Sequence, residues 1–298
     1  MRNVTSLLLA CGLLVLSSNA FGATYQVGPG KAYSNLGEVA SKLAPGDIVE
    51  VEGNQTYPGG VIFKKHGTAA QKITIRGLRV NGKRPVLSGG TNTIEAAGNH
   101  YIFEGLDLTG GSSRCFFHHA DDIVLRDSVV HHCPKQGILG ADQGSGSLLL
   151  EYTEVHHCGD GTKSHQIYMS TNENDYPGSV FRMQYCYLHD GNGGHGVKSR
   201  AERNEIYYNW LEGAVIHELR AHRAGSCGRC VERQGPRRLR RRRQRAAQEE
   251  YRIRRPVRRR RDRRYEWALS LREQHRDHAG RWERGVPALR RDRERRGP

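Results

Sequence analysis

The sequence predicts an all-β protein, a right-handed parallel β-helix with an N-terminal capping helix, on three observations. Apolar residues close a recurring strand-like unit at Leu108, Val130, Val155, Leu188 and Leu211, at intervals of 22, 25, 33 and 23 residues. After the first four come polar, turn-like segments: Thr109-Gly110, His131-His132-Cys133, His156-His157-Cys158 and His189-Asp190-Gly191. A second strand signal follows in each unit, at Cys115-Phe-Phe117, Gly137-Ile-Leu139, Gln166-Ile-Tyr168 and Gly196-Val-Lys198, and no helical period competes with it. One such unit cannot bury its inward side chains alone, whereas stacked units form a continuous apolar column. Rungs about 4.8 Å apart set equivalent residues into ladders. A β-sandwich is the rival; it would show regular hairpins at shorter spacing, and the unit-to-unit alignment would be accidental.

From the N-terminus, Met1-Arg2-Asn3 precedes an apolar run over 4–18 and small residues up to Gly22. This is the pattern of a secretory signal peptide, assigned to 1–23, with the mature chain secreted or periplasmic and disulfides permitted there. Leu36, Val39, Ala40 and Leu43 recur at helical spacing. They predict a capping helix over 34–43, with Ser34 as N-cap and Pro45-Gly46 as stop, although Gly37 inside it counts against the assignment. Strands are expected at 47–51, 60–63 and 73–76, and the repeats fill the remainder of a β-helix domain over 24–219. No second apolar run of spanning length follows, so no membrane partner is expected.

The charge is divided unevenly. The chain has 47 Lys+Arg, 31 Asp+Glu and a net charge of +16. Residues 220–298 hold 29 of the bases, all Arg, and 10 of the acids, leaving 18 bases against 21 acids in the rest. From 220 onward there is no Lys, Asn, Thr, Phe or Met. The composition predicts out-of-frame translation starting close to His217–Arg220, and hence a truncated β-helix whose rungs after Leu211 are missing. The alternative is a genuine basic, polyanion-binding tail. Nucleic acid ranks last among partners. Cys227 and Cys230 have redox or zinc spacing but no second ligand pair.

Several segments carry a resemblance. Tyr25-Gln-Val-Gly-Pro-Gly-Lys-Ala-Tyr33, Pro45-Gly-Asp47, Gly67-Thr68, Ile73-Thr-Ile-Arg76 and Arg84-Pro-Val-Leu-Ser-Gly89 resemble the N-terminal part of secreted pectin-lyase-like β-helix proteins. The match extends through Gly196-Val-Lys-Ser199 to about Glu218. Lys198-Ser199 followed by Arg203-Asn204-Glu-Ile-Tyr-Tyr-Asn209 is similar to the Lys-Ser plus Asn-ladder segment of the alginate lyase and chondroitinase B family. The resemblance implies that Lys198 is the base of a β-elimination and that an arginine about one rung later supports it. The matching position falls where the Arg-rich tail begins, so Arg203 and Arg200 are taken as nearby substitutes. The superfamily also holds hydrolases, epimerases and non-catalytic adhesins, so the fold does not fix the chemistry.

Eliminating across a uronate's glycosidic bond needs a base, a cation for the carboxylate and a groove for the polymer. Alignment puts Val197 with Ile167 and Ile138 as an inward ladder, which sends Lys198 and Tyr168 outward together. A solvated surface lysine is the plain alternative for Lys198. His165 and His195 align 30 residues apart and flank the same face, as substrate binders or as a structural stack. His131-His132 and His156-His157 read as turn stacks, since no carboxylate recurs with them, and no metal ligands are assigned. Asp121-Asp122, Asp160 and Asp190 read as turn residues. Cys133 and Cys158 align one rung apart, as stacked free thiols or a joined pair, with stacking as the default. The expected function is binding or lyase-type cleavage of an acidic polysaccharide, with little or no turnover in this chain. The alternative is a non-catalytic binding or structural β-helix. Calcium stays open as a cofactor.

Overall fold

The computed structural model describes residues 22–222. Residues 1–21 of the signal segment, the bulk of the Arg-rich tail and the Cys227/Cys230 pair lie outside the described residues.

Three parallel sheets wind around one interior. Sheet 1 has eight strands, from Thr24–Val27 to Arg203–Tyr207. Sheet 2 has seven, from Thr56–Pro58 to Trp210–Leu211, and sheet 3 has seven, from Val61–Phe63 to Leu219–Ala221. The chain visits them in turn: Ile123–Arg126, Val129–His131 and Gln136–Gly140 make one coil. The expected parallel β-helix is therefore present, and the sandwich is not.

Inward side chains stand in ladders because every strand pairs in register with the equivalent strand one coil on. The closing residues Leu108, Val130, Val155, Leu188 and Leu211 form one column on sheet 2. Val49, Ile75, Phe103, Leu125, Leu150 and Met183 form another on sheet 1. Ile94, Phe116, Ile138, Ile167 and Val197 line sheet 3. All of these but Leu211 are buried, and Leu211 packs against them. Fully burying one aliphatic or aromatic side chain stabilises by about 1.5–3 kcal/mol, so the column is the main source of cohesion.

Each coil after the first has three strands where the sequence showed two. The repeating segment 101–108 bends into Tyr101–Glu104 and Asp107–Thr109. The corner residue between sheets 1 and 2 takes a positive φ in every later coil: Gly105, Asp127, Tyr152, Tyr185 and Tyr208 at 72°, 45°, 48°, 55° and 59°. At Gly105 a Cβ would meet the Gly77 carbonyl oxygen at 2.5 Å, so glycine suits the close approach as well as the dihedral. The left-handed region costs a tyrosine roughly 1–2 kcal/mol. The three corner tyrosines offset part of this by stacking, with centroids 5.1 and 5.5 Å apart, an arrangement contributing about 0.5–1.5 kcal/mol per pair.

The helix expected over 34–43 is a single turn, Gly37–Ala40. Ser34 is not its N-cap: Leu36 is, without a side-chain hydrogen bond, and the Ser34 hydroxyl instead donates to the Glu38 carboxylate. Glycine at the first helical position and the missing cap leave too little to extend the turn in either direction. Its periodic residues Leu36, Val39, Ala40 and Leu43 are nonetheless all buried in the core.

The cysteine expectation needs correction too. Cys133 is joined to Cys115, across Cα atoms 5.8 Å apart, while Cys158 and Cys186 remain thiols. The bridge runs diagonally between consecutive coils, from sheet 3 to the corner after sheet 2. Cys115 and Cys133 do not lie directly above one another, so the repeat spacing does not mark them as a pair. Burial pushes the Cys158 and Cys186 thiols up to about 12, so neither is poised to react.

Candidate functional site

The outer faces of the sheets differ in chemistry, because strand alternation makes one outward column per register position. On sheet 1, Glu50, Arg76, Glu104, Arg126 and Glu151 alternate in sign coil by coil. Arg76 Nε and Arg126 Nη2 reach the Glu104 carboxylate at 2.5 and 2.6 Å. Burial would raise the Glu104 pKa, but hydrogen bonds from both arginines hold it below the usual carboxylate range. This face is largely neutralised by its own pairs.

Sheet 3 presents a different outward column: Glu95, Phe117, Leu139, Tyr168, Lys198 and Arg220. Tyr168 and Lys198 pair in register, as the inward placement of Ile138, Ile167 and Val197 requires. Lys198 Nζ lies over the Tyr168 ring at 5.0 Å. The Arg200 guanidinium donates to the Tyr168 hydroxyl at 3.0 Å and stands 3.9 Å from Asp142. Lys198 and Tyr168 are half-buried, while Arg200 is exposed.

Arg220 was missed. The strand Leu219–Ala221 lies on Val197–Arg200, so Arg220 sits one coil beyond Lys198 in the same column. The signal was the 22-residue step from Val197 to Leu219, the same step as between Leu108 and Val130. It went unread because composition drew the boundary at 219. Arg203 is on sheet 1, exposed, with its guanidinium 3.0 Å from Glu205, so the structure does not bring it together with Lys198.

His165 and His195 sit beneath this face at the corner leading into sheet 3. They are only 1% and 3% exposed, with rings 5.0 Å apart, and the His195 backbone N–H donates to His165 Nδ1 at 3.0 Å. His217 continues the stack on His195 at 5.2 Å. Burial, then the charges of Lys198, His195 and Arg220, push His165 down to about 4. His118, whose Nε2 lies 3.1 Å from the Gly146 carbonyl, is likewise pushed down to about 4 by burial, which Asp121 only partly opposes.

These two imidazoles fix the sign of a pH effect. Folded values below the unfolded value of about 6.5 mean that the unfolded chain binds protons first as the pH falls. Their contribution to stability is complete above about pH 6.5 and is lost as the pH drops towards about 4. The melting temperature is expected to fall across that window, and to fall less in His165→Gln. A flat profile there would contradict the burial of neutral histidines.

On sheet 2, His131, His156 and His189 stack outward at 5.0 and 4.9 Å, and His132 and His157 stack beside them at 4.7 Å. The expected turn stacks are present. The expectation that no carboxylate accompanies them is overturned: Asp107 meets His131 Nε2 at 2.7 Å, and Glu154 and Asp190 meet the two nitrogens of His189 at 2.9 and 2.8 Å. Asp107 and Glu154 were overlooked because they precede the histidine positions by two along a strand rather than lying in the turns. Asp122 and Asp190 adopt positive φ at their turns, 54° and 44°. Asp122 is bonded to Lys72 and His100, and Asp121 accepts the Ser147 N–H.

A concavity of 610 Å³ lies towards the other end, lined by Gly37, Pro58, Ile62, Lys64 and Lys65 among others. Five strand steps along sheet 3 separate Val61–Phe63 from Val197–Arg200, so the basic and aromatic groups occupy an open face rather than this pocket. Among the described residues, no helix is long and apolar enough to cross a membrane.

No family model and no curated protein sequence matches this chain. Among solved structures it is similar to pectate lyase Pel9A at 14% identity and a TM-score of 0.55, covering 66% of this chain and 55% of that one. It thus spans about half the length of that enzyme. An alginate lyase from Paenibacillus sp. str. FPU-7 aligns at 16% identity and a TM-score of 0.45, covering 63% and 75%. A pectin methylesterase from Aspergillus niger aligns at 11% and 0.45, covering 64% and 74%. With its three parallel sheets wound around one interior, the chain has a parallel β-helix fold similar to that of pectate lyase Pel9A.

Proposed function

We propose that the outer face of sheet 3 binds an acidic polysaccharide in an exported protein and supports lyase-type β-elimination, with Lys198 as the base. The observation that carries this reading is the column Tyr168, Lys198, Arg220, three successive coils contributing an aromatic ring, an amine and a guanidinium in register. A polymer lying along the helix axis meets these groups in order. A uronate carboxylate opposite Arg220 can accept a bidentate pair of hydrogen bonds, which neutralises charge as the α-carbon loses its proton. Lys198 takes that proton on its amine lone pair, the C–H electron pair becomes the new C=C bond, and the glycosidic C–O bond breaks, its oxygen leaving with a proton from water. Tyr168, held by Arg200, offers an aromatic edge for a neighbouring sugar, and His165 and His195 support the face from below. Arg220 takes the supporting position for which Arg203 and Arg200 stood as substitutes, so this reading expects measurable turnover where the sequence alone led to an expectation of little or none.

Calcium does not fit this face as the residues stand. It takes roughly six to eight oxygen ligands. Beside Lys198 the neighbouring groups are aromatic and cationic, and Asp142 already faces Arg200. No step is therefore routed through the ion.

The test is retention on immobilised alginate, pectate and chondroitin, together with absorbance from an unsaturated uronate product. Retention that weakens with salt, and product formation lost in Lys198→Ala, are the expected results, with the loss following Arg220→Ala rather than Arg203→Ala. Retention without product selects the non-catalytic alternative. Neither retention nor product on any of the three polymers rejects the reading.

A further inference from the structure

The strongest convergence of ligand-type atoms lies on another face, the outer side of sheet 2. Glu154 and His156 are two positions apart on one strand, so both point outward. His189 stands directly over His156 one coil later. One ligand atom from each of Glu154, His156 and His189 falls within 4.8 Å of the other two. The Glu154 Oε1 to His189 Nε2 distance is 2.9 Å, and the rings of His156 and His189 are 4.9 Å apart. Tetrahedral zinc with bonds of about 2.0–2.1 Å needs ligand atoms about 3.4 Å apart, within reach of small ring tilts here.

The groups behind the three ligands are also in place. Asp190 Oδ2 engages His189 Nδ1 at 2.8 Å, which leaves Nε2 facing Glu154. This is the carboxylate–histidine arrangement that orients a metal-bound imidazole. His157 Nδ1 engages His156 Nδ1 at 2.7 Å, leaving its Nε2 as the ligand atom. The side chain of His189 is 15% exposed and that of Glu154 is 42% exposed, so one side of the cluster is open to water.

From this geometry we infer that Glu154, His156 and His189 bind one zinc-class divalent ion, with water in the fourth position, tying two consecutive coils together. Two imidazoles and one carboxylate are a borderline donor set. It favours zinc and its first-row neighbours over calcium or magnesium, which prefer oxygen-only shells.

The site is independent of the sheet 3 face, and its test does not read activity. In a Cys227→Ser, Cys230→Ser background of the full chain, Zn²⁺ titrated by calorimetry is expected to bind at one equivalent. Glu154→Gln, which preserves shape, and His189→Ala are each expected to weaken this event by at least tenfold. Asp190→Asn, which removes only the orienting group, should weaken it by about 10- to 100-fold. Zn²⁺ should raise the melting temperature of the parent more than that of Glu154→Gln, since binding to the folded state alone adds to stability, while Ca²⁺ at equal concentration should not raise it. Absence of saturable binding overturns the inference. So does binding that Glu154→Gln and His189→Ala leave unchanged, because the ion then sits elsewhere on the chain.

Discussion

Lys198→Ala is expected to lower eliminative turnover by about 10²- to 10⁴-fold, the range for removing a positioned general base, while retention on the polymer weakens far less. The asymmetry follows from where the amine sits. Lys198 is one member of a basic and aromatic face that also holds Arg200, Arg220 and Tyr168, so ground-state binding is shared. Proton removal is not shared: His165 is buried beneath the face, and a guanidinium is a poor general base. The variant should fold normally, since Lys198 is half-buried with its amine against the Tyr168 ring rather than inside the column. The measurement is initial-rate absorbance at saturating polymer beside a retention assay. Turnover in the variant within threefold of the parent would remove Lys198 from the chemistry.

Phe103→Ala is expected to destabilise the chain by about 3–5 kcal/mol. Its ring is fully buried and packs against Phe63, Tyr101 and Phe116 with centroids at 5.4, 5.4 and 5.3 Å. These four rings come from sheets 1 and 3, Tyr101, Phe103 and Phe116 from one coil and Phe63 from two coils earlier, so the cavity opens across both directions of packing. The coil cannot close around it without breaking the register of Phe103 with Ile75 and Leu125. Ile62→Ala, on the outer face at 43% exposure, should cost under about 0.5 kcal/mol. Urea unfolding of both variants checks this, and similar midpoints for the two would refute the placement of Phe103 in a shared core.

What was legible in the sequence is what repeats. The ladder Leu108, Val130, Val155, Leu188 and Leu211 and the registers at 138, 167 and 197 follow from periodic apolar residues, because stacking forces equivalents into contact. The two-residue corner after sheet 1 was hidden, since Asp127, Tyr152 and Tyr185 do not advertise a left-handed conformation as glycine does. The capping helix was overestimated because Leu36, Val39, Ala40 and Leu43 are periodic without a helix of matching length. At the candidate site, the pairing of Tyr168 with Lys198 could be read from strand alternation. Arg220 could not be read while the domain edge was placed on composition. Diagonal relations were invisible as well: the Cys115–Cys133 bridge and the contact of Glu154 with His189 each join different positions on consecutive coils.

The shared core and both outer faces depend on the coils being piled along one axis, and electron-spin distance measurement tests this directly. Ile62, Glu95 and Lys198 stand in one outward column on sheet 3, with Glu95 one coil and Lys198 five coils from Ile62. At about 4.8 Å per coil, nitroxides at 62 and 198 should lie about 24 Å apart and those at 95 and 198 about 19 Å apart, before allowance for the tethers. A separation that grows by one coil step between the two pairs supports the structure. Equal separations, or a shorter distance for the 62–198 pair, would contradict it.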